Sequence, residues 1–179
     1  MNIDEFIAQD QRLIEELARA DDKQPVLEAA MARGNAALAE ASSLADQIDI
    51  TARLAATAAL GAADSPDLAE QTVIWAARCG RLLLGPAAEA HYLPRLAALV
   101  GAAVPHLDAD KRQAVVSGMG SWLARAGSAI EAVVAAEADG DAWARVSLAA
   151  TGVEGAEQIA TDALQKAEDA YKTAGGLRD

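Results

Sequence analysis

The stretch "WAARCG", residues 75–80, returns as "WLARAG", residues 122–127, and whether that echo is architecture or chemistry decides how the whole chain is read. It extends outward. "MARGNAAL" at 31–38, "WAARCGRLLL" at 75–84 and "WLARAGSAI" at 122–130 each open on a bulky residue, with an arginine two or three places on and a glycine just after it. Each is followed, 20 to 23 residues after the bulky residue, by an arginine-led run: "RLAATAALGAA" at 53–63, "RLAALVGAA" at 95–103 and "RVSLAATG" at 145–152. A period of about 42 to 50 residues is that of a two-helix unit, in which no unit buries its apolar face alone and stacking supplies the core. The expectation is an all-α, single-domain helical bundle of about seven helices. Stacked hairpins of about 45 residues, an α-solenoid-like repeat, are its regular form, and an irregular bundle with chance alanine matches is the other. Either way the echo is structural: Trp75 and Trp122 anchor the core, each with an indole N–H that needs a partner, and the glycines admit neighbouring helices.

Composition points the same way. The 179 residues suit one domain with a substantial core, and 47 of them are alanine while only six are aromatic. Alanine loses no rotamer freedom in a helix, and the β-branched and aromatic residues that favour strands are scarce. The apolar spacing of Ile3, Phe6, Ile7, Leu13, Ile14 and Leu17 predicts one N-terminal helix within residues 1–22, with Asn2 and Glu5 as a capping box. Hairpins are expected over 25–174 and a frayed tail over 175–179. Within them, helices are expected over about 25–45, 46–62, 66–84 and 86–104. Ser65, Pro66 and Asp67 form a strong start signal, and Pro94 is expected to kink its helix. A sixth helix, capped by Asp108 and carrying Val115, Met119, Trp122, Leu123, Ile130 and Val134 on its core face, is expected to end near Gly140. The last segment is interrupted near Gly152 and Gly155.

The acidic opening "MNIDEF" is no signal sequence, and no uncharged run is long enough to span a bilayer, so a cytoplasmic location is expected. The alanine and arginine bias matches a GC-rich bacterial genome. One cysteine allows no internal disulfide and no Cys-based zinc site. The net charge of −12 argues against nucleic-acid binding by phosphate neutralisation.

No constellation of residues carries catalysis, a cofactor or a metal. Glu89 and His91 lie two apart, on different sides of a helix, unlike the Glu-x-x-His pairs of di-iron bundles. His106, beside Pro105, reads as a solvated turn residue. Cys79 falls on the apolar face of its helix and reads as a buried small hydrophobe rather than a nucleophile. "VSGMGS" follows no strand and is not a nucleophile elbow, and neither a Gly-x-Gly-x-x-Gly turn nor a Walker loop is present.

What remains is charge pattern. Residues 126–165 hold seven acids, among them Glu131, Glu137, Asp139, Asp141, Glu154 and Glu157, against the single base Arg145. Residues 78–125 hold six bases against three acids, and Lys111 and Arg112 sit in a helix's first turn, where a cation opposes the dipole unless an acidic neighbour compensates. A carboxylate-rich surface speeds and orients association with a basic protein, and it also keeps an alanine-rich chain in solution. The leading expectation is a non-catalytic protein that binds another protein, such as an inhibitor, an immunity-type protein or an adaptor, through Glu131, Glu137, Asp139, Asp141, Glu154 and Glu157. Two alternatives differ in class. One is a ligand carrier or enzyme with a pocket near Trp75, Trp122 or Trp143, and the other is a self-associating coat or assembly protein.

Overall fold

The computed structural model describes residues 3–151 and 157–175; the capping box at Asn2, the interruption at Gly152 and Gly155, and the tail after Gly175 lie outside them. Among the described residues the chain is an all-α helical bundle without strands. Its helices are α1 (Ile3–Asp10), α2 (Leu13–Arg19), α3 (Gln24–Glu40), α4 (Leu44–Leu60), α5 (Pro66–Leu82), α6 (Pro86–Ala103), α7 (Ala109–Ala150) and α8 (Glu157–Gly175), with a 3-10 turn at Val104–His106 before α7. No helix among them is long and apolar enough to cross a membrane. The chain divides into two compact units, the first made of residues 1–83 and 92–123, the second of residues 84–91 and 124–179.

In the first unit the expected N-terminal helix is two. A continuous apolar stripe needs apolar residues at positions 10 and 11, which hold Asp10 and Gln11. Asp10 instead accepts a 2.7 Å bond from Arg53 Nη1, and Asp49 accepts from Arg53 Nε at 3.0 Å, so one guanidinium ties α1 to α4. The chain turns at Arg12, where Phe6 and Leu13 are both buried. The α3 helix ends at Glu40, short of the expected Ala45, because Ser43 takes an extended conformation and its Oγ accepts from Asp46 N at 3.0 Å, starting α4. Ser65 starts α5 in the same way, with Pro66 in the first turn as the sequence predicts.

The core of this unit is assembled from small side chains. Ala55, Ala58, Ala69, Ala76 and Cys79 are fully enclosed on α4 and α5, with Ile50, Leu54, Leu93, Leu96 and Val100 supplying the bulk. Two threonines lie among them at no cost in unpaired polar groups: Thr51 Oγ1 donates to Gln47 O at 2.7 Å, and Thr72 Oγ1 to Leu68 O at 2.8 Å. Glycine lets helices close up where the echo places it. A Cβ at Gly34 would overlap Leu54 and sit 3.4 Å from the Phe6 ring, and one at Gly80 would meet the Trp122 ring at 3.5 Å. The third echo glycine, Gly127, has nothing within 4 Å of that position, so the three copies occupy different surroundings.

The cations at the start of α7 are compensated. Lys111 Nζ lies 2.9 Å from Glu70 Oε2 and 3.5 Å from Asp108 Oδ2, while Arg112 donates to the carbonyls of Leu107 and Pro105. Asp108 therefore engages the lysine side chain, and its backbone oxygen accepts the first amides of the helix.

In the second unit α7 and α8 pair as an antiparallel hairpin. Ser147 Oγ donates to Ala160 O at 2.9 Å, Lys166 Nζ stands 4.2 Å above the Trp143 ring, and Tyr171 OH reaches Asp141 Oδ1 at 2.5 Å. As residue numbers rise along α7 their partners fall along α8. The helix runs through Gly140 rather than ending there. A Cβ at this position would sit 2.7 Å from the Tyr171 ring, so the glycine serves close approach and not termination. Gly140 and Ser147 of α7, and Ala163, Ala167 and Ala174 of α8, are buried along this hairpin, a seam of small residues, while Ala126 and Ala129 are buried earlier on α7, near the start of α6, where Arg125 pairs with Glu89.

Candidate functional site

An alanine seam buries little apolar area, so the larger side chains of the second unit lie outside it. Ile130, Val134 and Leu148 of α7 are exposed, the last by 77%, although the sequence assigns Ile130 and Val134 to the core face. Leu123, at the end of the first unit, is exposed as well. Residues 130, 134, 137, 141, 144 and 148 recur at intervals of four and three, which places them on one stripe of α7. Glu137 and Asp141 belong to that stripe, and the other three large residues on it are Ile130, Val134 and Leu148.

The hairpin register extends the face onto α8. Asp141 opposite Tyr171 implies Leu148 opposite Leu164, seven residues along each helix in opposite directions. Leu164 and Tyr171 are both exposed, and Glu168 lies between them. The assembled face thus carries Ile130, Val134, Leu148, Leu164 and Tyr171 interleaved with Glu137, Asp141 and Glu168. The hydrogen bond to Asp141, first, and then the remaining burial and negative charge around it raise the Tyr171 phenol above its ordinary value, while Arg145 works against the rise. Arg145, four residues after Asp141, falls one turn further along the same side of α7.

The structure does not gather all the carboxylates expected to act together. Glu137, half-buried, and Asp141 share the face just described. Glu131 is exposed on the side of α7 away from the seam, Asp139 is exposed on the flank opposite Asp141, and Glu157 is exposed in the first turn of α8. Glu154 lies outside the described residues. Composition and charge counting missed the apolar members of the face, and the spacing of Ile130, Val134 and Leu148 is the signal that finds them.

Elsewhere the chemistry-bearing residues stay apart. His106 is exposed in the turn before α7, and His91 is exposed on α6. Cys79 is enclosed, its Sγ 3.6 Å from Ile48 O, and burial pushes its thiol up to about 11 despite the bond with Thr51 that acts in the other direction. A thiol in that state is protonated at neutral pH and shielded from reagents. Among the described residues no group of three or more His, Cys, Asp or Glu side chains is arranged to hold a metal ion. Trp75 is buried with its Nε1 unpaired and the Arg78 guanidinium 5.3 Å from its ring centre, while Trp122 and Trp143 are half-buried.

Comparison of the chain with protein-family models, with curated proteins and with solved structures gives no match.

Proposed function

We propose that the protein acts by binding another protein, and that the α7–α8 hairpin of the second unit is the surface it uses. The observation that carries this reading is the interleaving on one face. Five large apolar side chains stand in solvent beside Glu137, Asp141 and Glu168, and an exposed apolar patch bordered by charge is characteristic of an interaction surface. A solubility role accounts for the carboxylates alone but leaves the exposed Leu148, Leu164, Ile130 and Val134 without a purpose. The partner that fits is a basic amphipathic helix whose Lys and Arg meet the carboxylates and whose apolar residues cover the leucines and Val134. An inhibitor, immunity-type or adaptor role is consistent with such a surface.

The test is affinity capture from the native host with the wild-type chain and with Val134→Ser/Leu148→Ser and Glu137→Gln/Asp141→Asn variants, followed by titration of the captured protein over a salt series. A partner held through this face is lost with the apolar pair, weakened by the neutral pair, and released progressively as salt screens the carboxylates. A partner retained equally by all variants, or insensitive to salt, refutes the assignment.

A further inference from the structure

The first unit contains a recess of about 360 Å³ between α5, α6 and α7, walled by Val73, Ala77, Val100, Val115, Met119 and Trp122. Its walls are set by glycines. Gly80 on α5 lets the Trp122 ring lie against that helix, and Gly101 on α6 brings the Met119 terminal methyl to 3.3 Å of where a Cβ would be. These two side chains therefore rest on neighbouring helices. A third glycine, Gly118, lines the recess on α7, and a Cβ there would meet nothing within 4 Å. Helix interfaces ordinarily fill such space to the density of organic crystals. Here the residue that could fill it is glycine, which costs the helix about 1 kcal/mol relative to alanine.

We propose that this recess is a binding site for an uncharged, ring-bearing apolar small molecule. The lack of charge follows from the lining, which has no ionisable side chain, and from Lys111, one helical turn from Ala114 at the rim, whose ammonium is already held by Glu70 and Asp108. The ring follows from Trp122, whose indole is part of the wall, and from Met119, whose thioether packs well against aromatic rings. A cavity of about 150 Å³ holds benzene, so this volume corresponds to a ligand of about 14 non-hydrogen atoms. The site shares no residue with the α7–α8 face and stands independently of the protein-binding reading.

The test uses the full chain and two fluorescent probes with the same ring system, aminonaphthalene, neutral at pH 7, and aminonaphthalenesulfonate, which is anionic. Aminonaphthalene is expected to bind saturably with enhanced emission, and the sulfonate about tenfold or more weakly, because a buried anion finds no partner. Gly118→Leu fills the recess from α7 and Ala77→Leu fills it from α5. Each is expected to weaken aminonaphthalene by about tenfold or more while far-UV circular dichroism stays unchanged. If one variant fails to fold, the other decides. Absence of saturable binding, equal binding of the two probes, or unaltered binding in a folded filling variant overturns the proposal. So does a signal that disappears with Trp143→Phe, a change in the other unit.

Discussion

Alanine substitution at the three echo glycines separates architecture from coincidence, because the structure predicts different signs at positions the sequence makes alike. All three lie in helices, so the propensity term alone favours alanine by about 1 kcal/mol at each. At Gly34 the new methyl overlaps Leu54, whose Cγ would be 2.9 Å away, and Leu54 is 1% exposed and cannot retreat into solvent. Overpacking of this kind costs about 1 to 3 kcal/mol, and the overlap with Leu54 is deep, so Gly34→Ala is expected to destabilise by up to about 2 kcal/mol after the propensity gain. At Gly80 the contact with Trp122 is of ordinary length, and at Gly127 the space is open. Both substitutions there are expected to stabilise, by about 0.5 to 1 kcal/mol. Urea unfolding followed by far-UV circular dichroism measures each difference, with a constant denaturant slope confirming that the native fold is the one compared. The cycle with Leu54→Ala makes the test specific. That change alone should cost about 3 kcal/mol for the cavity it leaves, and the Gly34→Ala methyl should partly fill the vacated space. The double variant is then more stable than the sum of the singles by about 1 kcal/mol or more. Additive effects, a stabilising Gly34→Ala, or the same sign at all three positions would refute the reasoning.

Other outcomes follow from the buried and bridging groups. Cys79 should resist thiol reagents in the folded chain and react fully in urea, at a rate set by opening of α5 from α4. Its folded value of about 11 lies above its ordinary 9.0, so its contribution is intact below pH 9 and is lost as the unfolded thiol ionises between those two values. The stability of the wild type relative to Cys79→Ala should therefore fall by about 2 kcal/mol across that window; a parallel pair of pH profiles would contradict it. Ser147→Ala removes the cross-hairpin bond to Ala160 O and should cost about 0.5 to 1.5 kcal/mol, read from the urea midpoint. Spectrophotometric titration should show the Tyr171 phenol ionising later than a free tyrosine, and Asp141→Asn should bring it back down.

Local chemistry was legible in the sequence where one short segment determines the outcome. Ser65, Pro66 and Asp67 start α5 as they read, and Cys79 falls on an apolar stripe that α4 covers. What was hidden depends on partners far along the chain. Ser43 is a helix cap inside "AEASSLAD", a stretch whose alanines read equally well as uninterrupted helix. Gly140 carries the same signature whether it ends a helix or admits a ring, and the difference lies in Tyr171, thirty-one residues later. Net charge was plain, but the division of Glu137 and Asp141 from Glu131 and Asp139 follows only once the buried side of α7 is known.

That side is where the usual rule inverts. Hydrophobic ranking assigns Ile130 and Val134 to the core, yet Ala126, Ala129, Gly140 and Ser147 are the residues α7 turns inward in the second unit. Where α7 meets α8 the reason is geometric: Gly140 and Ser147 face a helix that offers Ala163, Ala167 and Ala174, and two backbones that approach through methyl-sized contacts gain dispersion and leave no room between them for a branched side chain such as Leu148. The larger residues are then displaced outward by geometry and not by polarity. Their apolar surface remains in water, a standing cost of about 25 cal/mol for each Å² that a partner's helix would remove. The same choice of small residues that closes the hairpin therefore supplies the driving force for the association proposed at its outer face.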